Sequence, residues 1–221
     1  MTPTQTIETE PTKTQSFAEW FEANSKLVTI GAAVVVVAAA GYWFYLRSAE
    51  IKRQNAERGL NQAKQSMAAG NIALAQSDLQ KVADRYRGTA SGAQAAMLLA
   101  ETNFDQNKFA EGLKILEPYQ NSRAAGPNLA SVWALTGDGQ IALAKPADAA
   151  ASYQKAAEAT TLGGEKSLYQ AKQGRALMLA GKDGEARALW EKLATDPNAL
   201  PVRNEAQVRL GELDAKTAGK S

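Results

Sequence analysis

Four stretches decide the fold: GNIALAQSDLQKV (70–82), NKFAEGLKILEPY (107–119), AKPADAAASYQKA (144–156) and GKDGEARALWEKL (181–193). Each begins 37 residues after the one before. A small residue recurs at Ala75, Gly112, Ala149 and Ala186, and a large one four residues later at Leu79, Leu116, Tyr153 and Trp190. Upstream, the same spacing collects Ala63, Ala100, Gly137, Gly174 and Gly211. Ala and Gly make up 61 of the 221 residues, so nine small residues at nine positions is a chance of roughly 1 in 100,000. A few hundred choices of period and register still leave it well under about 1 in 100.

This pattern resembles that of the tetratricopeptide repeat (TPR), whose unit is a pair of helices, A then B. In that unit a small residue in helix A faces a small residue in helix B, so the two helices approach closely, and the large residue one turn later fills the groove beside them. Trp133, Gly137, Ala149, Tyr153 and Ala156 stand where that pattern has Trp, Gly, Ala, an aromatic and Ala. Gly70 and Gly181 fall between the helices, where a C-terminal glycine takes positive φ. Pro146 suits the first position of a B helix, and Pro118 and Pro197 fall at or after B-helix ends. The period is 37 rather than the usual 34, and the proline that ends a typical repeat is missing or displaced. Residues 200–216 supply one last A-type helix, which suits a cap because a terminal repeat has no following neighbour. The expected fold is all-α: a single N-terminal transmembrane helix, then a TPR-like α-solenoid of about four helix pairs plus a capping helix. No break separates the first A helix, about 49–69, from the apolar run before it.

That run, residues 27–46, reads LVTIGAAVVVVAAAGYWFYL. Twenty uncharged residues at about 1.5 Å each span about 30 Å as a helix, the thickness of the hydrocarbon core. Tyr42, Trp43 and Tyr45 gather at one end, where amphipathic rings favour the headgroup region. Lys26 and Arg47 bracket the run and snorkel. A cleaved signal peptide is the competing reading, since Ala38-x-Ala40 resembles a cleavage site. Against it, Glu8, Glu10, Glu19 and Glu22 outnumber Lys13 and Lys26 in the lead, where a signal would be basic. A buried core helix is a third reading, but the run is long for so small a chain. Arg47, Lys52, Arg53, Arg58 and Lys64 follow the run, and the positive-inside rule taken literally puts the C-terminal part in the cytoplasm. The rule weakens for long flanking domains, so charge leaves the side undecided.

Composition narrows the function. Histidine and cysteine are both absent, which removes the commonest general base and metal ligand and all thiol chemistry. No phosphate loop, dinucleotide fingerprint or metal-spaced cluster is present. Asp183 and Glu185 lie close together, but at a helix start, where the dipole favours acids. A formal net charge of +2 is too balanced for a nucleic-acid binder. The expectation is a protein-binding chain: no enzyme, no cofactor, no small-molecule substrate, no nucleic acid.

The candidate binding residues sit on the A helices. Met67, Met97 and Met178, with Phe104, suggest an adaptable apolar groove. Met67, Phe104, Ile141 and Met178 share one repeat position, however, and extend a helical stripe of the kind that usually forms core. Lys64, Glu101, Asp138 and Arg175 share the neighbouring position. Their signs show no uniform clamp, and a solvated face is the plainer reading. Lys64, Glu101 and Arg175 are nevertheless the charged candidates.

The whole arrangement resembles the YfgM family, ancillary subunits of the bacterial SecYEG translocon. The stretches that carry the resemblance are FAEWFEANSKLVTIG (17–31), GYWFYLRSAE (41–50) and QGRALMLAGKDGEARALWEKLATDP (173–197). It implies a single pass through the inner membrane, a cytoplasmic N-terminus and a periplasmic repeat domain. It implies association with translocon subunits, a PpiD-like periplasmic chaperone and exported chains. The expected organisation is an acidic cytoplasmic tail (1–26), a transmembrane helix (27–46), a basic neck (47–58), the repeat domain (59–216) and a disordered tail (217–221). The alternative is a structural subunit or assembly adaptor of another bacterial membrane complex.

Overall fold

The computed structural model describes residues 19–218, apart from the side chain of Ser122. The expected acidic tail thus lies outside the described residues up to position 18, as do the last three residues of the expected disordered tail. Two units divide between Ile51 and Lys52. Among the described residues there is no strand.

Residues 19–23 are helical, and helix α1 (Ser25–Ala68) follows, its residues up to Ile51 in the first unit. Its most apolar window has a mean hydropathy of 2.1, and none of that window is buried. It is the one described helix long and apolar enough to cross a membrane. Thr29, the polar residue early in the run, donates its hydroxyl to the Ser25 carbonyl at 2.7 Å, which satisfies it inside the helix. Tyr42, Trp43 and Tyr45 are 65%, 66% and 69% exposed.

The second unit holds the core. The C-terminal part of α1 and α2 (Ile72–Arg85) are the first repeat, and α3 (Ala90–Asp105) and α4 (Phe109–Leu116) the second. The third is α5 (Leu129–Ala142) with α6 (Pro146–Ala159), and the fourth α7 (Gly163–Leu179) with α8 (Asp183–Thr195). Helix α9 (Arg203–Ala218) closes the series and includes Thr217 and Ala218. That is the expected four pairs and a cap. From α2 onward each helix packs on its neighbour in the chain. The longest connection, between α4 and α5, runs through two 3-10 turns, Glu117–Tyr119 and Gly126–Asn128. Tyr119 there donates its hydroxyl to the Ala83 carbonyl at 2.5 Å, tying the second repeat to the first. Burial pushes its pKa up to about 12.

Within each pair the small and large positions are both buried, and their sizes trade off. In the first two repeats an alanine on helix A (Ala63, Ala100) accompanies a leucine on helix B (Leu79, Leu116), all buried. In the last two a glycine (Gly137, Gly174) accompanies a ring (Tyr153, Trp190). A Cβ at Gly137 would stand 2.5 Å from Tyr153 Cε1, and one at Gly174 would stand 2.6 Å from Trp190 Cε2. Gly211 occupies the same position on the cap, which has no B helix, and a Cβ there meets nothing within 4 Å.

The A–B turns repeat with the same period. Residues 70, 107, 144 and 181 all have positive φ: Gly70 at 75°, Asn107 at 59°, Ala144 at 55° and Gly181 at 73°. Each closes its A helix with the same pair of bonds. Ala144 N–H donates to the Ile141 carbonyl and Lys145 N–H to the Gln140 carbonyl, both at 2.9 Å. This is the Schellman motif, and it satisfies carbonyls that the helix end leaves open. Glycine was expected at two of the four turns. The other two carry side chains in the left-handed region, and Ala144 has no polar group to compensate.

Two predictions follow from this packing. Gly137→Ala should destabilise the full-length protein by about 1 kcal/mol or more, because the crowding cost exceeds the helix-propensity gain. Combined with Tyr153→Leu, which restores the Ala–Leu pairing of the early repeats, it should cost less than the two single changes together, by about 0.5–1 kcal/mol. Thermal unfolding in detergent, followed by circular dichroism, reads both; strict additivity would contradict the size exchange. Ala144→Gly should raise stability by about 0.5–1 kcal/mol. The left-handed penalty on alanine, about 1–2 kcal/mol, outweighs the added freedom of glycine in the unfolded chain. No gain would mean that the turn does not hold Ala144 in that conformation.

Candidate functional site

Equal spacing and a fixed turn bring equivalent A-helix positions side by side. Asp138 on α5 accepts two bonds from Lys172 Nζ on α7, at 2.7 and 2.8 Å. Tyr153 Oη on α6 donates to the same carboxylate at 2.7 Å. The lysine also stands 5.5 Å from the centre of the Tyr153 ring. Burial first, and then the bond to Asp138, push the pKa of Tyr153 up, so the phenol stays a donor. One repeat further on, Arg175 on α7 pairs with Glu205 on α9 at 2.9 Å. Arg209, on the next turn of α9, is held by Glu212 at 2.9 Å. A row of ion pairs thus crosses from α5 to the cap.

The row ends differently at α3. Glu101 is exposed, and neither it nor Asp105 forms an ion pair among the described residues. Partial burial is the largest cause of the raised pKa of Glu101, followed by the charges of Asp105 and Asp138. Of the three charged candidates, Glu101 and Arg175 belong to this row. Lys64 lies earlier, half-buried on α1, and takes no part in these bonds. Lys172, Tyr153 and Glu205 were missed as members. The period alone does not point to Lys172 or Glu205: Lys172 lies one turn before Arg175, and Glu205 is 30 residues beyond it, short of the 37-residue repeat.

The apolar candidates are half-buried. Met97 and Phe104, with Met67, pack against the core of the first two repeats. A Cβ at Gly112 would stand 2.4 Å from the Phe104 ring and one at Gly139 2.6 Å from it, so this ring fills the space between α4 and α5. Met178 and Ile141 pack against the core of the last two repeats. The core reading of the stripe accounts for these contacts. Met178 and Ile141 also line open grooves.

Two adjoining grooves follow the row. One, of about 340 Å³, is lined by Asp138, Ile141, Tyr153, Lys172, Ala176 and Leu179. The other, of about 280 Å³, lies between α7 and α9 and is lined by Met178 and Arg209; both share Arg175 and Leu179. Leu179, which was not singled out in the sequence, is 67% exposed. A larger groove of about 450 Å³ lies on the side of α2 and α4, where Asp84 and Glu111 offset Arg87 and Lys114. Asp183 pairs with Lys216 of the cap at 2.6 Å and Glu185 with Lys182 at 3.0 Å, which gives both acids structural partners.

The crowded carboxylate at Glu101 generates a prediction. Its folded pKa lies above the unfolded value, so its ionised form opposes folding at neutral pH. Glu101→Gln should raise the melting temperature at pH 7, and the gain should fade as pH falls below the ordinary carboxylate range, where both states are protonated. A lower melting temperature at pH 7 would show that Glu101 has a cationic partner in solution.

The comparison with known families matches this geometry. The model of the tetratricopeptide repeat-like domain matches residues 18–214. No curated protein matches the chain. The matched stretch takes in the apolar run, all four helix pairs and most of the cap. The chain therefore belongs to the tetratricopeptide repeat-like domain family.

Proposed function

We propose that this protein is a membrane-tethered protein-binding scaffold that acts as an ancillary subunit beside a protein-export translocon, as the resemblance to the YfgM family implies. The observation that carries the tether is the apolar run of α1. Its side chains are exposed while the core of the repeats, from Ala56 to Leu213, is made without them. Twenty such residues are favourable in lipid and costly in water. Tyr42, Trp43, Tyr45, Lys26 and Arg47 are the interface anchors on this reading. The repeat family supports the binding role, since stacked helix pairs present extended surfaces to protein partners. The A-helix face is the proposed surface, with Glu101, Arg175 and Met178 on it and Lys64 at its first repeat. Its partners would be translocon subunits, a PpiD-like chaperone and exported chains.

On this reading the N-terminal tail is cytoplasmic and residues 59–216 lie in the periplasm of a bacterial cell. The resemblance, rather than the charge around α1, supports that orientation. An assembly adaptor in another membrane complex is the second reading, because the same face would serve it.

One experiment separates them. After gentle solubilisation and purification of the intact protein, translocon subunits and a periplasmic chaperone should co-purify in stoichiometric amounts. A reporter active only outside the cytoplasm, fused after Ser221, should be active. A silent reporter with an active cytoplasmic counterpart would end the export role. Co-purification of an unrelated membrane complex alone would establish the adaptor.

A further inference from the structure

From α5 to the cap the cations of the row are neutralised within the protein, and two acids at its α3 end are not. Lys172 is taken by Asp138, Arg175 by Glu205 and Arg209 by Glu212. Glu101 and Asp105 on α3 stand beside this row with no ion pair among the described residues. The two parts adjoin, because Asp138 lines the apolar groove and a Cβ at its neighbour Gly139 would stand 2.6 Å from the ring of Phe104, the neighbour of Asp105. The groove itself offers mainly carbon: Ile141, Ala176 and the exposed Leu179.

We propose that this face binds protein segments in which an apolar side chain neighbours a lysine or arginine, the apolar group seating against Leu179 and Ile141 and the cation meeting Glu101 and Asp105. The proposal rests on the scaffold reading above and adds the chemistry of the partner. Charge complementarity selects this occupant. An acidic segment in the groove would meet two unpaired carboxylates and would have to break an existing ion pair to reach Lys172, Arg175 or Arg209. A basic one meets the carboxylates directly, with no bond to break. Burying an apolar side chain in the groove supplies affinity, and the unpaired acids supply the choice of sign. Because the acids are solvent-accessible, each pair formed adds modestly, which suits short-lived contacts with many segments.

The test uses the full-length protein in nanodiscs of zwitterionic lipid, with empty nanodiscs as the blank. Two fluorescent peptides share an Ala-Ser background and two leucines and differ only in having lysine or glutamate at the flanking positions. Fluorescence anisotropy at about physiological salt should show the lysine peptide binding about fivefold more tightly or better. Glu101→Lys should abolish that preference. Leu179→Asp, at an exposed position that leaves the core intact, should weaken both peptides. Equal binding, or tighter binding of the glutamate peptide, overturns the inference and leaves the scaffold reading standing. A preference that survives Glu101→Lys also overturns it, because the sign would then be chosen elsewhere. Binding of neither peptide overturns the inference together with the A-helix face as the binding surface.

Discussion

The close approach of the A and B helices within each repeat is the constraint on which the rest depends. Helix axes come near only where a side chain is nearly absent, and the space beside the contact must then be filled. The protein does this in two ways, alanine with leucine in the first two repeats and glycine with an aromatic ring in the last two. Close-packed interiors tolerate neither a void nor an overlap of even a methylene, so the two members of each pair are coupled. The left-handed residue at each A–B turn sets the second boundary condition. It ends helix A at the same point in every repeat and starts helix B in the same register. Together they fix which residues of helix A are covered and which stay outside.

The outward row is a consequence of that register. Once equivalent A-helix positions lie side by side, Asp138 meets Lys172 and Arg175 meets Glu205 across helix boundaries. These bridges are partly exposed and are weak sources of stability. Their more important effect is on what the face offers. Cations bonded to neighbouring acids are poor anchors for a ligand, whereas Glu101 and Asp105 keep their charge available. The phenol of Tyr153 serves both layers, since its ring packs on Gly137 in the interior and its hydroxyl orients Asp138 at the surface. The interior size exchange is thereby joined to the electrostatics of the face.

The apolar run obeys different physics. Its side chains find no cover among the described residues, and Thr29 satisfies itself through a helix carbonyl. That combination is suited to hydrocarbon, where an unsatisfied backbone or hydroxyl group is costly. The repeat core buries its apolar groups among neighbouring helices, and the proposed tether would bury those of the apolar run in lipid.

Much of this was legible in order along the chain. The period of 37, the small and large positions, Pro146 at a helix start and the apolar length of residues 27–46 are local or periodic signals, and they determined the helix pairs, the cap and the exposed helix. The left-handed turns at Asn107 and Ala144 were harder to read, because only glycine advertises positive φ and the backbone imposes it on the other two through the shared register. Met97 and Phe104 could be read as groove or core; both pack half-buried against the core, and the Phe104 ring fills the space that Gly112 and Gly139 leave. The sign of the face was likewise invisible in a list of charges. Which cation is neutralised, and which acid is left unpaired, depends on distances between residues about 30 positions apart, and those distances exist only when the helices are stacked.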